Sequence, residues 1–261
     1  MIVAFSHGKL IPVIISEPAS KTLQIEIPAA SKISSPEKKH IEKTVRACLR
    51  LDENYSTFYA EVKQYCQFAW VLKLGAGRLL RAPTVFEDAV KMMCTTNCSW
   101  GLTEAMVKNL CTKLGTRISD DIYAFPSPDA IADCTEGFIR KEIRAGYRSP
   151  YLLELGKRIV KKDIDIEAWR SRDIPSKELF EEVRSVKGLG PYAAGNILKL
   201  LGRYDYLAID SWCRKQFLDI HRKKKASDKT IEKYYQQFGE WKGLFFWLEL
   251  TKPWYDKEFP L

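Results

Sequence analysis

An aspartate, Asp210, stands twenty positions after the second glycine of the sequence Lys187-Gly188-Leu189-Gly190. Two glycines around one apolar residue let a backbone come close to another molecule. Pro191 then opens a helix whose first N–H groups point outward, a ready anion site. The chemistry of that pairing is a phosphate grip followed by a carboxylate. Each part also has an ordinary reading: glycine turns join helices in many ligand-free proteins, and an aspartate ahead of Ser211-Trp212-Cys213 is by itself an N-cap. Other chemistries have less to build on. His7, His40 and His221 are isolated, which removes histidine triads and HExxH-type metal sites. Of seven cysteines only Cys94 and Cys98 sit close together, and no second pair completes a zinc or iron–sulfur set.

The 261 residues can bury a substantial core and divide into two lobes. A formal charge of +9 favours a polyanionic partner. The odd, scattered cysteines point to reduced thiols. No signal peptide is evident in MIVAFSHGKLIPVII, and no apolar run approaches the roughly 20 residues that span a bilayer. The expectation is a soluble intracellular protein.

The elements that must position Asp210 follow from periodicity and breakers. Residues 1–80 read as a β-rich lobe with flanking helices: LIPVIIS and TLQIEI are strands of a small antiparallel sheet, and Ser31–Lys39 is a polar linker. Helical spacing follows over His40–Leu51, and an aromatic-rich helix over Phe58–Leu72. Residues 81–261 read as a helical body. Val85–Thr95, Leu102–Leu114 and Tyr151–Lys161 are its clearest helices, with Ser127 as an N-cap before Asp129. Ser176–Ser185, opened by a cap sequence containing Glu178, is the first helix of a helix-hairpin-helix over residues 176–201. The fold class is mainly α with an N-terminal antiparallel β lobe, an α+β protein.

The ordered combination of helix, Lys-Gly-Leu-Gly hairpin, Pro-x-Ala-Ala-x-x-Ile-Leu helix and an apolar approach to Asp210 resembles the helix-hairpin-helix DNA glycosylases. Further matches run in the same order from Arg78-Leu79-Leu80-Arg81 through Phe125-Pro126-Ser127-Pro128 and Gly146-Tyr147-Arg148. In these the chain resembles the branch of 8-oxoguanine DNA glycosylase and 3-methyladenine DNA glycosylase II. The loop Gly202–Ile209 departs from the family pattern in having one glycine and no proline. The family's iron–sulfur branch has cysteines after the catalytic segment. Here none follows Cys213, so no cluster is expected.

The resemblance implies a base-excision-repair enzyme acting, as a monomer, on double-stranded DNA with a damaged base. Cleaving an N-glycosidic bond builds positive charge on the sugar, which Asp210 would stabilise. Bifunctional members carry a lysine where this chain has Tyr192, so the implied enzyme is monofunctional, with water as nucleophile. Lys187 and Lys199 lie nearby, and their ordinary reading is phosphate contact or solvated surface. Asn97, Tyr147 and Arg148 match the residues that fill the gap left by an extruded base, against the plain readings of a helix end and a core tyrosine. Tyr192 and Trp241 match pocket aromatics suited to cationic alkylated purines, and Phe246 replaces the base-reading glutamine of the 8-oxoguanine enzymes. The plain reading of Trp241 is an aromatic core. A hairpin cation held by backbone carbonyls of Lys187 and Gly190 is also implied. Alternatives remain: an 8-oxoguanine or mismatched- or deaminated-base glycosylase, or a non-catalytic module that grips phosphate without reading sequence.

Overall fold

A computed structural model describes residues 1–5, 8–19, 22–28 and 32–256. His7 and Ser31 lie outside the described residues. In chain order the strands are β1 (Ile2–Ala4), β2 (Leu10–Pro12), β3 (Ile14–Ala19), β4 (Thr22–Glu26), β5 (Arg117–Ser119) and β6 (Ile122–Tyr123). The helices of the first half are α1 (Ser35–Leu49), α2 (Ser56–Val62), α3 (Ala69–Leu74), α4 (Val85–Thr95), α5 (Trp100–Leu114), α6 (Pro128–Ala132) and α7 (Glu136–Lys141). Those of the second half are α8 (Ser149–Val160), α9 (Ser176–Arg184), α10 (Pro191–Leu200), α11 (Ser211–Ile220), α12 (Asp228–Tyr235) and α13 (Lys242–Asp256).

Instead of two consecutive blocks divided at residue 80, the chain forms two compact units, each from two stretches. Unit 1 is Met1–Asp52 with Leu80–Glu167, and unit 2 is Glu53–Leu79 with Ala168–Leu261. The expected N-terminal lobe is therefore shared, because α2 and α3 carry Phe58, Phe68 and Val71 into the same aromatic core as α11 to α13.

In unit 1 the N-terminal strands form separate two-stranded antiparallel ladders, β1 with β2 and β3 with β4, rather than one sheet. Val3, Ile11 and Val13 are buried with Ile41 and Val45 of α1. From Ser35 onward the stretch read as a linker is the start of α1. Ser34 and Glu37 form a reciprocal capping box, which satisfies N–H groups the first turn cannot pair internally. Further along, Glu167 caps α4, its two carboxylate oxygens accepting from Val85 N and Phe86 N, each at 2.9 Å. Ser127 caps α6 as expected, accepting from Ala130 N at 3.2 Å.

Unit 2 carries the hairpin. The aromatic helix expected over Phe58–Leu72 is broken into α2, a 3-10 turn at Cys66–Phe68, and α3, which lets Phe58 and Phe68 turn onto Phe245 from two directions. Gly239, at φ +53°, separates α12 from α13. α9 begins after Pro175 without a side-chain cap, so the expected cap at its start is absent.

Two glycines set the path of the loop that ends at Asp210. A Cβ on Gly243 would lie 2.3 Å from Tyr206 O and 2.6 Å from Tyr204 O, and Gly243 N–H donates to Tyr204 O at 2.6 Å. On the other side, a Cβ on Gly195 of α10 would lie 3.2 Å from Leu207 O and 3.3 Å from Ala208. The loop is thus pressed between α10 and α13 at backbone contact. Gly243→Ala must move the loop or the helix; overpacking of this kind costs about 1–3 kcal/mol. A chemical-denaturation series should show that loss, and Gly101→Ala in α5 serves as its comparison, since no atom lies within 4 Å of its added Cβ and its backbone is helical.

Candidate active site

The hairpin between α9 and α10 closes on a Leu189 N–H to Val186 O bond of 3.0 Å, with Gly188 at φ +91°. That left-handed conformation accounts for the first glycine. The second answers to access: Gly190 is exposed, it is the N-cap residue of α10, and a Cβ there would meet nothing within 4 Å. Leu189 is 1% exposed and anchors the turn in the core, while Lys187 is exposed beside it. α10 has Pro191 in its first turn, so the helix begins without an amide proton at that position.

Asp210 is the N-cap of α11. Its Oδ1 accepts from Cys213 N at 2.7 Å, and its side chain is partly exposed. The ordinary reading of this aspartate is therefore correct as far as it goes. The cap uses one oxygen. Among the described residues Oδ2 makes no hydrogen bond, which leaves one carboxylate oxygen for other work. Beneath it, Cys213 is buried, its Sγ 3.5 Å from Ala208 O, and burial pushes its thiol up to about 12. Arg214 is engaged elsewhere, paired with Asp228 through Nε–Oδ1 at 2.6 Å and Nη2–Oδ2 at 2.8 Å.

Tyr192 is half-buried one residue after Pro191, and its carbonyl accepts from Asn196 Nδ2 at 3.2 Å. Trp241 is also half-buried. Its ring stacks on Tyr204 with centroids 5.3 Å apart and touches Phe58 at 5.2 Å. Phe246 is fully buried, edge-on to Tyr235 at 5.0 Å, and belongs to the core rather than to a base pocket. Its place on α13 follows from the same helical spacing that buries Phe245. Lys199, read as a phosphate contact or surface lysine, is 3% exposed. It falls four positions after Gly195, on the face of α10 that meets the loop. That spacing was the available signal.

The three residues expected to fill the gap, Asn97, Tyr147 and Arg148, lie in unit 1. Asn97, exposed at φ +45°, and Tyr147, 46% exposed, are brought together: Tyr147 Oη lies 3.0 Å from Thr96 Oγ1 and takes Asn97 Nδ2 at 3.5 Å. Arg148 has a different place. It is 4% exposed, with its guanidinium under the C-terminal end of α4. Nε donates to Met93 O at 3.1 Å and to Thr96 Oγ1 at 3.2 Å, and Nη2 donates to Thr96 O. It thereby satisfies carbonyls that a helix end leaves open, and its cation lies 4.5 Å from the Tyr147 ring centroid. Arg148 is the clamp that holds Asn97 beside Tyr147 and is not itself a protruding wedge. Among the described residues no three His, Cys, Asp or Glu side chains converge as a metal site, and no helix is long and apolar enough to cross a membrane.

No family model and no curated protein matches the sequence. Solved structures do. An 8-oxoguanine glycosylase/lyase from Clostridium acetobutylicum, bound to double-stranded DNA with cytosine opposite 8-oxoguanine, superposes with a TM-score of 0.74 at 22% identity, over 98% of this chain and 88% of that one. The 3-methyladenine DNA glycosylase of Archaeoglobus fulgidus gives 0.75 at 18% identity, over 97% and 87%. The chain has the helix-hairpin-helix DNA glycosylase fold. A 3-methyladenine DNA glycosylase from Schizosaccharomyces pombe, in complex with abasic DNA, shares this fold over 80% of the present chain with a TM-score of 0.55 at 19% identity.

Arg148→Met removes the donor for the Met93 and Thr96 carbonyls. Loss of charged, buried hydrogen bonds of this kind costs roughly 3 kcal/mol. Hydrogen exchange should show faster opening of amides near Asn97 and Tyr147, while amides of α10 and α11 stay protected.

Proposed function

We propose that the protein is a monofunctional DNA glycosylase that removes a damaged purine, with alkylated purines as the preferred substrates. The observation that carries this reading is the one-sided anchoring of Asp210: Cys213 N–H holds Oδ1, and Oδ2 is left without a hydrogen bond among the described residues. A carboxylate in that position stabilises positive charge growing on a deoxyribose as its base departs, and can orient the attacking water. Water supplies the oxygen that bonds to C1′ as the C1′–N bond breaks and the proton that the departing base takes up, so no covalent enzyme intermediate forms. The exposed Gly190 and Lys187 support a role for the hairpin in gripping the DNA backbone. A cation on the Lys187 and Gly190 carbonyls fits this role. Gly190 O accepts one hydrogen bond, from Ala194 N at 2.9 Å, and retains a second lone pair.

Tyr192, in place of the lysine nucleophile, supports both the absence of a lyase step and the preference for cationic purines, whose charge is attracted to an aromatic face. Trp241 would supply a second aromatic surface beyond the face it gives to Tyr204. Asn97 and Tyr147 would occupy the space vacated by the flipped nucleotide. Double-stranded DNA carrying the lesion is then the partner, bound by a monomer inside the cell.

Release of free base from duplexes carrying alkylated, oxidised, deaminated or mismatched bases tests the reading. The alkylated duplexes should react fastest, and Asp210→Asn should slow release roughly a hundredfold or more. No release from any duplex would end the enzyme reading, and an unimpaired Asp210→Asn would end the mechanism. Borohydride reduction during the reaction should trap no protein–DNA adduct; an adduct that disappears with Lys187→Ala or Lys199→Met would show a lyase.

A further inference from the structure

Trp100 is the most exposed of the seven tryptophans. It shows 70% of its surface to solvent; Trp254 follows at 39%, and the others are half-buried or buried. A single exposed apolar residue is ordinary on a protein surface. What sets Trp100 apart is where it stands and how firmly its backbone is held. It is the first residue of α5, three positions after Asn97, on the short turn that leaves α4. Ser99 caps α5 by accepting from Leu102 N at 3.3 Å. Behind the turn, Thr103 Oγ1 donates to Cys94 O at 3.1 Å, and Cys98 Sγ lies 3.1 Å from the same carbonyl and 3.3 Å from Thr103 Oγ1. Thr103 and Cys94 are both buried. The turn is pinned from the inside, and the largest side chain on it is left outside.

The charged side chain of the neighbouring Asn97–Tyr147 patch is already committed. Arg148 gives Nε to Met93 O and Thr96 Oγ1 and Nη2 to Thr96 O, so its fork does not turn outward to a base edge. An aromatic face needs no such fork. Every base has a π-face, and stacking on it tolerates any sequence. The formal charge of +9 suits a polyanion as the partner rather than an apolar protein surface.

We infer that Trp100 is a stacking platform for an unpaired base of DNA, the one left without a partner when the nucleotide opposite it is extruded. The inference rests on the reading of Asn97 and Tyr147 as the residues that occupy the vacated space; Trp100 adds the surface on which the orphaned base lies. Because an indole reads a face and not an edge, the base is held whatever its identity. The pinned turn means that little conformational freedom is lost when the base arrives.

Two measurements on the full chain test this. In the first, affinity is measured for a duplex carrying one stable neutral abasic ring and for the same duplex fully paired. Trp100→Ala should weaken binding to the abasic duplex roughly tenfold, and to a similar extent with each of the four bases opposite the ring. Binding to the paired duplex, which rests on phosphate contacts, should change by less than about twofold. Trp100→Phe keeps an aromatic face and should keep most of the affinity. An equal loss on both duplexes, a loss confined to one opposite base, or no loss at all overturns the inference. In the second, 5-iodouracil is placed opposite the abasic ring, the complex with the parent chain is irradiated, and the adduct is located by peptide mass spectrometry. It should fall on Trp100, and moving the iodouracil to a paired position should abolish it. An adduct on another residue, or one on Trp100 that persists from the paired position, overturns the inference. Both readouts report binding alone. If they come out as expected while no duplex releases a base, the glycosylase reading fails and the platform stands. If base is released while Trp100→Ala binds the abasic duplex as the parent does, the platform fails and the enzyme reading stands.

Discussion

The contact on which the site depends is the pressing of the Gly202–Ile209 loop between two helices at places where neither has a side chain. Gly195 meets Leu207 and Ala208 from α10, and Gly243 meets Tyr204 and Tyr206 from α13. Backbone against backbone leaves little room to slide, since close-packed interiors do not deform continuously. The loop therefore delivers Asp210 to one position at the start of α11. The same squeeze presents Tyr204 to Trp241 and Tyr55, whose hydroxyl meets that of Tyr204 at 2.7 Å. The aromatic core and the loop that ends at Asp210 are one packing problem.

Under the proposed mechanism Asp210 combines its observed capping role with a chemical one in a single side chain. Capping needs a single oxygen, and the bond to Cys213 N–H removes the rotational freedom that would otherwise have to be lost on meeting a substrate. Burying Cys213 keeps water from competing for that N–H. Arg148 does the corresponding task in unit 1. It spends its donors on the end of α4, so that Asn97, in a left-handed conformation, and Tyr147 come to share one patch of surface.

Much of this was legible in the residues. The two glycines and Pro191 forecast the hairpin and the helix after it, and the spacing to Asp210 forecast a carboxylate at the next helix start. Local rules suffice for such features, because positive φ, missing N–H groups and caps are decided within a few residues. Less local matters were misjudged. The unit boundaries were missed because α2 and α3 join α11 to α13 only through long-range aromatic contacts. Phe246 was assigned to a pocket and lies fully buried in the aromatic core. Lys199 was taken for a surface charge, since nothing in composition distinguishes a buried lysine from a solvated one. What distinguishes it is its phase relative to Gly195, and that phase has meaning only once the loop is seen against α10.

The central claim is that Asp210 stabilises positive charge on the sugar. It can be tested without knowing the lesion by comparing affinities for two duplexes, one with a neutral abasic ring and one with a cationic pyrrolidine in the same place. A site complementary to the transition state binds the cation more tightly, and analogues of this kind gain at least about a hundredfold. The account predicts that the parent shows this preference and that Asp210→Asn loses it while still binding the neutral duplex. Equal affinity of the parent for the two duplexes, or a preference that survives in Asp210→Asn, would contradict it.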